Sequence, residues 1–196
     1  MEDRRIQKSK NAIRQSFLGL LKEKSLNQIT VSEICRIANI GRGTFYLHYT
    51  DVYDLYDQIE NHLYEGLYQL FESCYPTTDV ENSRRLTEGL TTYVALHKDI
   101  FLLLVRSDNG HSLQKLRTAF HEKALLENRR LHPAGNIEYD AVEAVFAVSG
   151  IVGVLEEWLN GGMQIPKDII AEMLNHILGK INAECETEPM MGSKLS

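Results

Sequence analysis

Residues 30–55, TVSEICRIANIGRGTFYLHYTDVYDL, constrain this chain more than any other stretch, because they hold two short helical patterns only three residues apart. Thr30 and Glu33 fit a capping box, in which a threonine hydroxyl and a glutamate three residues on satisfy orphan amides at a helix start. Val31, Ile34, Cys35 and Ala38 then recur at helical spacing and are expected to face inward. Asn39-Ile40-Gly41 should end that helix after about two turns, since Asn and Gly both tolerate left-handed backbone. The segment Arg42 to Tyr49 follows, with Phe45 and Tyr49 at i, i+4 for the core. Arg42, Thr44, Tyr46 and His48 are left to face outward, as donors suited to phosphates and base edges.

These residues resemble the TetR family of bacterial transcriptional regulators, whose DNA-binding half carries a T-x-x-x-I-A-x-x-A/G-V-S-x-G-T-x-Y-x-x-F-x-x-K-x-x-L signature. Thr30, Ile34, Ala38, Ile40, Gly43, Thr44, Phe45, Tyr46, Tyr49 and Leu55 stand where that signature wants them. Asn39 replaces a small turn residue, Gly41 a capping Ser, and Val52 a Lys that in the family reaches a DNA phosphate. The resemblance implies a homodimer on double-stranded operator DNA, with Thr30, Ser32, Arg42, Gly43, Thr44, Tyr46, Leu47, His48 and Thr50 as the DNA-binding residues. It also implies a repressor that a small-molecule effector releases from a pseudo-palindromic operator, with a ligand-activated or co-repressed regulator as the alternative, and no cofactor. At position 52 the phosphate contact is either given up or made from elsewhere, with the Thr50 and Tyr53 hydroxyls and nearby helix amides as candidates. The competing reading is that Val52 packs inward against helix one.

Charge is divided unevenly along the chain. Residues 1–50 hold nine Lys and Arg against four acids, a net of +5, while residues 51–196 hold twelve against twenty-three, a net of −11. A basic head on an acidic body suits a chain in which only the head meets a polyanion. A head of this build used purely for protein interaction is the rival that the +5 argues against. No stretch approaches the roughly 18 apolar residues of a membrane helix, and MEDRRIQKSK lacks the apolar run of a signal peptide, so a cytoplasmic location is expected. Cys35, Cys74 and Cys185 are odd in number and widely spaced, which indicates neither a disulfide framework nor a zinc pattern.

Periodicity is helical nearly throughout, so the expected fold is all-α, with about nine helices. A three-helix head occupies 1–50, a helical bundle for ligand binding and dimerisation 51–184, and a flexible tail 185–196. Helix one should run from about Arg4 to Glu23, with Ile6, Ile13, Phe17, Leu20 and Leu21 on its inner face. Helix four starts near Asp51, carries Leu55, Ile59, Leu63, Leu67, Leu70 and Phe71 on one face, and stops before Pro76.

The stretch 138–160, EYDAVEAVFAVSGIVGVLEEWLN, has a broad apolar band, and its Gly150 and Gly153 allow close backbone approach. Gly161-Gly162 end it, Pro166 opens the next helix, and Ile169, Ile170, Met173, Leu174, Ile177, Leu178 and Ile181 form a second apolar face. The expected dimer interface is Val148, Ile151, Val152, Gly153, Leu155, Ile170, Leu174 and Ile177, against which stands an internal hairpin within one subunit. In the family the corresponding pair of helices joins its two-fold mate, and this stretch resembles a C-terminal subtype common in Gram-positive bacteria. Ligand-contact candidates are Tyr64, Tyr68, Phe71, Tyr93, Phe101, Phe120 and Trp158, since aromatic rings offer shape and an occasional polar handle. His97, His111, His121 and His132 lack the spacing of a metal site. No G-x-S-x-G elbow, Gly-rich phosphate loop or H-E-x-x-H helix appears, so catalysis is not expected.

Overall fold

The computed structural model describes residues 4–75, 79–107, 111–131 and 137–187. Among them are nine α-helices and no strand. In order these are α1 (Arg4–Leu21), α2 (Val31–Ala38), α3 (Arg42–Tyr46), α4 (Val52–Cys74), α5 (Val80–Leu96), α6 (Lys98–Ser107), α7 (His111–Leu131), α8 (Ile137–Asn160) and α9 (Lys167–Thr187), with a single 3-10 turn at Leu26–Gln28. The expected all-α class is what the chain adopts. Helix α9 runs through Thr187 and so takes in 185–187, the start of the expected tail; the rest of that segment lies outside the described residues.

The chain divides into two compact units. The first holds residues 1–66 and 99–114, the second residues 67–98 and 115–196. The first unit is built on Ile13 and Phe17 of α1, Ile34 of α2, Phe45 of α3 and Leu55, Ile59 and Leu63 of α4, all essentially inaccessible to water. Burying each such side chain contributes about 1.5–3 kcal/mol relative to leaving it exposed. Ile6, expected on the inner face of α1, is exposed instead.

Within the first unit the middle of α4 meets the start of α7 through contacts that sequence periodicity does not carry. Glu60 is 3% exposed. Ser112 Oγ donates to its carboxylate and lies 3.0 Å from the Tyr56 phenol. The Tyr64 phenol reaches both the Ser112 carbonyl, at 2.6 Å, and Glu60 Oε1, at 3.1 Å. Burial, reinforced by the neighbouring Glu60 charge, pushes that phenol well above its ordinary range. Four polar groups withdrawn from water thus tie the middle of α4 to the start of α7.

In the second unit α5 packs along α9, and Ser83 Oγ donates to Asn175 Oδ1 across that seam at 2.9 Å. Gly89 leaves room for Leu70: a Cβ there would come within 2.5 Å of the end of that side chain, which would have to shift. Arg117 pairs with Glu156 at 2.7 Å, joining α7 to α8. Helix α8 ends at Asn160 as Gly161-Gly162 required, and Trp158 Nε1 donates to the Ile165 carbonyl at 2.7 Å, securing the turn into α9. The Pro166 carbonyl accepts from the Ile169 and Ile170 amides, both at 3.1 Å, which starts α9 at the expected place.

Candidate nucleic-acid interface

The first helix of the reading pair begins as its sequence requires. Thr30 is extended, its Oγ accepts from the Glu33 amide at 3.3 Å, and its own amide donates to Glu33 Oε2 at 3.1 Å. The Thr30 hydroxyl also donates to that carboxylate at 2.9 Å. Lys24 Nζ closes on the other oxygen at 2.6 Å. Lys24 first, then the Thr30 hydroxyl and amide, hold the Glu33 carboxyl down at about 2, against an ordinary 4.5. The Thr30 hydroxyl is therefore spent on the cap, and its proton already has an acceptor.

Asn39 ends α2 in the left-handed region, at φ 53 and ψ 49. Gly41, expected to share that role, is extended at φ −74, so the turn needs one left-handed residue and not two. Helix α3 then runs only from Arg42 to Tyr46, with Leu47 as its cap and a turn through His48. Phe45 and Tyr49 are buried as their spacing demanded, with ring centroids 5.5 Å apart. Arg42, Gly43, Tyr46 and Leu47 are exposed, while Thr44 and His48 are half-buried. Ser32 and Thr50 are exposed as well. A Cβ built on Gly43 meets nothing within 4 Å, so the outward side of α3 is bare backbone at its second residue.

Val52 is buried at 6% exposure, and the reading in which it packs inward is the one the fold adopts. The start of α4 is capped from within. Asp51 Oδ1 accepts from the Asp54 amide at 2.8 Å, and Asp54 Oδ2 accepts from the Thr50 amide at 2.7 Å and its hydroxyl at 3.3 Å. The Thr50 backbone amide, first among the causes, holds the Asp54 carboxyl below its ordinary range. Thr50 is thus engaged with Asp54, while the Tyr53 side chain is exposed.

Seven aromatic residues are expected to touch a ligand. Tyr64 and Phe101 fall in the first unit, the other five in the second. Tyr68 stacks on Phe120 at 4.7 Å, and Phe71 meets the Phe120 ring edge-on at 5.7 Å. Phe71 also lies 5.3 Å from Tyr75, whose phenol is pushed up to about 12 by burial and then by the Glu127, Glu143 and Asp140 carboxylates. The Tyr93 ring lies 4.5 Å from the His97 ring, and Trp158 Nε1 donates into the α8–α9 turn. Sequence reasoning passed over a polar cleft of about 570 Å³ between α5 and α9, lined by Arg84, Thr87, Glu88, Lys167, Asp168 and Glu172. Among the described residues no three His, Cys, Asp or Glu are placed to hold a metal ion.

The residues expected to meet a second subunit also separate. Val148, Leu155, Ile170 and Leu174 are buried within the chain itself, and Ile151, Val152 and Gly153 are half-buried. Ile177 alone of that set is exposed, at 49%. Exposed apolar side chains lie elsewhere on the same two helices: Val142, Val145 and Phe146 on α8, and Ile169 and Met173 on α9. A Cβ on Gly150 or Gly153 would meet nothing within 4 Å, so neither glycine serves a close approach within the subunit.

Comparison with known proteins bears on most of the chain. Residues 81–180 match the family model TetR_C_8, a transcriptional regulator C-terminal region. The uncharacterized HTH-type transcriptional regulator YxbF of Bacillus subtilis (strain 168) is 25% identical over 153 residues, which is 76% of this chain; the chain spans only 39% of that protein's length. A TetR transcriptional regulator from Streptococcus agalactiae 2603V superposes with a TM-score of 0.59 at 22% identity, covering 90% of this chain and 97% of the other. The fatty acid degradation regulator FadR from Bacillus halodurans does so at 0.61 and 14% identity, over 91% and 96%. Among the described residues no helix is long and apolar enough to cross a membrane. With a capped helix-turn-helix head, an all-α second unit and a matching C-terminal region, the chain belongs to the TetR family of transcriptional regulators.

Proposed function

We propose that this regulator is a homodimeric repressor that holds a pseudo-palindromic operator and releases it when a small molecule binds its second unit. The observation that carries the reading is the outward side of α3, where Arg42, Gly43, Tyr46 and Leu47 stand open above a fully packed Phe45. Arg42 is suited to a base edge or phosphate and the Tyr46 phenol to a phosphate; Thr44 and His48 serve the same surface from its margin. Ser32 and the start of α2 belong at the adjoining backbone. Thr30 and Thr50 act by shaping the two helix starts, since both hydroxyls are already engaged.

The partner surface is the apolar strip of Val142, Val145 and Phe146 on α8 with Ile169, Met173 and Ile177 on α9. Gly150 and Gly153 lend it room for close backbone approach from a second copy. Such a dimer presents two α3 helices to successive major grooves about 34–36 Å apart. The effector reading rests on Tyr68, Phe71 and Phe120, which gather near the end of α4 and suit an apolar or aromatic small molecule. Because α4 also supplies Leu55 to the head core, a ligand that shifts its far end changes head separation and weakens DNA binding by population shift.

Selection from a random duplex pool followed by fluorescence anisotropy tests the proposal. A two-fold symmetric site should emerge. Arg42→Ala should cost about 1–3 kcal/mol with relaxed base preference, and Tyr46→Phe should weaken binding on every sequence. Phe146→Glu should give monomers by light scattering and lose operator binding. Unchanged affinity in both head variants, or a dimer that survives Phe146→Glu, overturns the corresponding assignment.

A further inference from the structure

Leu47 is 80% exposed, more than any other large apolar side chain among the described residues. A lone exposed leucine is ordinary on a protein surface. This one stands on the face already proposed to meet DNA. It caps α3 and donates its amide to the Gly43 carbonyl at 3.1 Å, which sets it one turn beyond Gly43 on the same side of the helix. Gly43 has no side chain to hold a partner away, and open space lies over it. Tyr46, its neighbour, is 57% exposed. A duplex that approaches the bare Gly43 backbone therefore brings base edges to the Leu47 methyls.

A leucine side chain can neither donate nor accept a hydrogen bond. In the major groove, N7 and O6 of guanine, N7 and N6 of adenine and N4 of cytosine are all polar, and only thymine offers an apolar group, its 5-methyl. Against a polar edge Leu47 would strip water and return nothing, which disfavours those bases. Against the methyl it removes apolar surface from water on both sides. We infer that Leu47 is a specificity-determining residue that reads the 5-methyl group of one thymine in each operator half-site. The inference rests on the DNA-reading proposal above and deepens it.

The test uses the full-length protein and the duplex it selects from a random pool. Uracil replaces thymine at each position in turn, which removes the methyl and leaves every hydrogen-bonding group in place. At one position per half-site the substitution should weaken binding about three- to fivefold, the effect of one buried methyl-sized group. Leu47→Ala should abolish that sensitivity at that position and leave other positions unaltered, with thermal stability unchanged because the side chain is exposed. Uniformly neutral uracil substitutions overturn the inference, as does a sensitive thymine that remains sensitive in Leu47→Ala. Selection of no duplex at all would instead defeat the DNA-reading proposal on which it rests.

Discussion

Gly43→Ala separates the head's fold from its function, because the two should move in opposite directions. Gly43 lies in α3 with its backbone outside the left-handed region, and an added Cβ meets nothing in the protein within 4 Å. Replacing a helical glycine by alanine in open space stabilises by about 0.5–1 kcal/mol, through the unfolded chain's lost freedom. For a chain of this size that raises Tm by about 1–4 °C. If DNA lies against the same backbone, the new methyl occupies space that the duplex needs, and overpacking of that kind costs about 1–3 kcal/mol per contact. Operator affinity should then fall by about tenfold or more for each half-site, since about 1.4 kcal/mol is a factor of ten. Thermal unfolding and fluorescence anisotropy on one preparation give both numbers. Raised stability with unchanged affinity would refute the placement of Gly43 at the DNA; lowered stability would refute the account of α3 itself.

Val52→Lys should lower head stability by at least about 1.5–3 kcal/mol, because it removes a buried side chain and brings an ammonium toward the core. The slope of log affinity against log salt should stay unchanged; steepening by up to roughly 2 per dimer would mean that position 52 reaches phosphate after all. Ser112→Ala deletes one donor from the buried Glu60 carboxylate and should cost about 1–3 kcal/mol in urea unfolding, with wild-type stability refuting the role of that cluster. Glu33 titrates at about 2 in the folded head against an ordinary 4.5, so its contribution is fully present above about 4.5 and is lost as pH falls toward 2. Glu33→Gln should flatten that limb of a Tm-against-pH curve, and an unaltered acid limb would show that the Lys24 and Thr30 contacts do not stabilise the fold.

How much of the molecule could be read from residues alone follows from the range of the interactions involved. The Thr30–Glu33 box, the Asn39 stop, the burial of Phe45 and Tyr49, the end of α4 before Pro76 and the end of α8 at Gly161 are all legible. Each is decided within about one helical turn, where backbone geometry and capping chemistry act. Gly41 was misjudged because tolerance of a left-handed backbone does not oblige a residue to use it. The Glu60, Tyr64 and Ser112 cluster was invisible for a different reason: its partners are separated by about fifty positions in the chain.

The sequence by itself determined the helical class and where the two short helices begin, since periodicity and local capping specify an element and its inner face; of the four residues it set outward, Arg42 and Tyr46 are open while Thr44 and His48 are half-buried. Tertiary structure alone decided what each apolar band covers. Val148, Leu155, Ile170 and Leu174 read as interface but face their own subunit, whereas Val142, Phe146, Met173 and Ile177 remain open on the same helices. It also decided that Val52 lies in the head core, and that Thr50 bonds Asp54. Helical spacing says only that a stripe will be buried; whether its own core or another copy buries it depends on how helices distant in sequence come to pack.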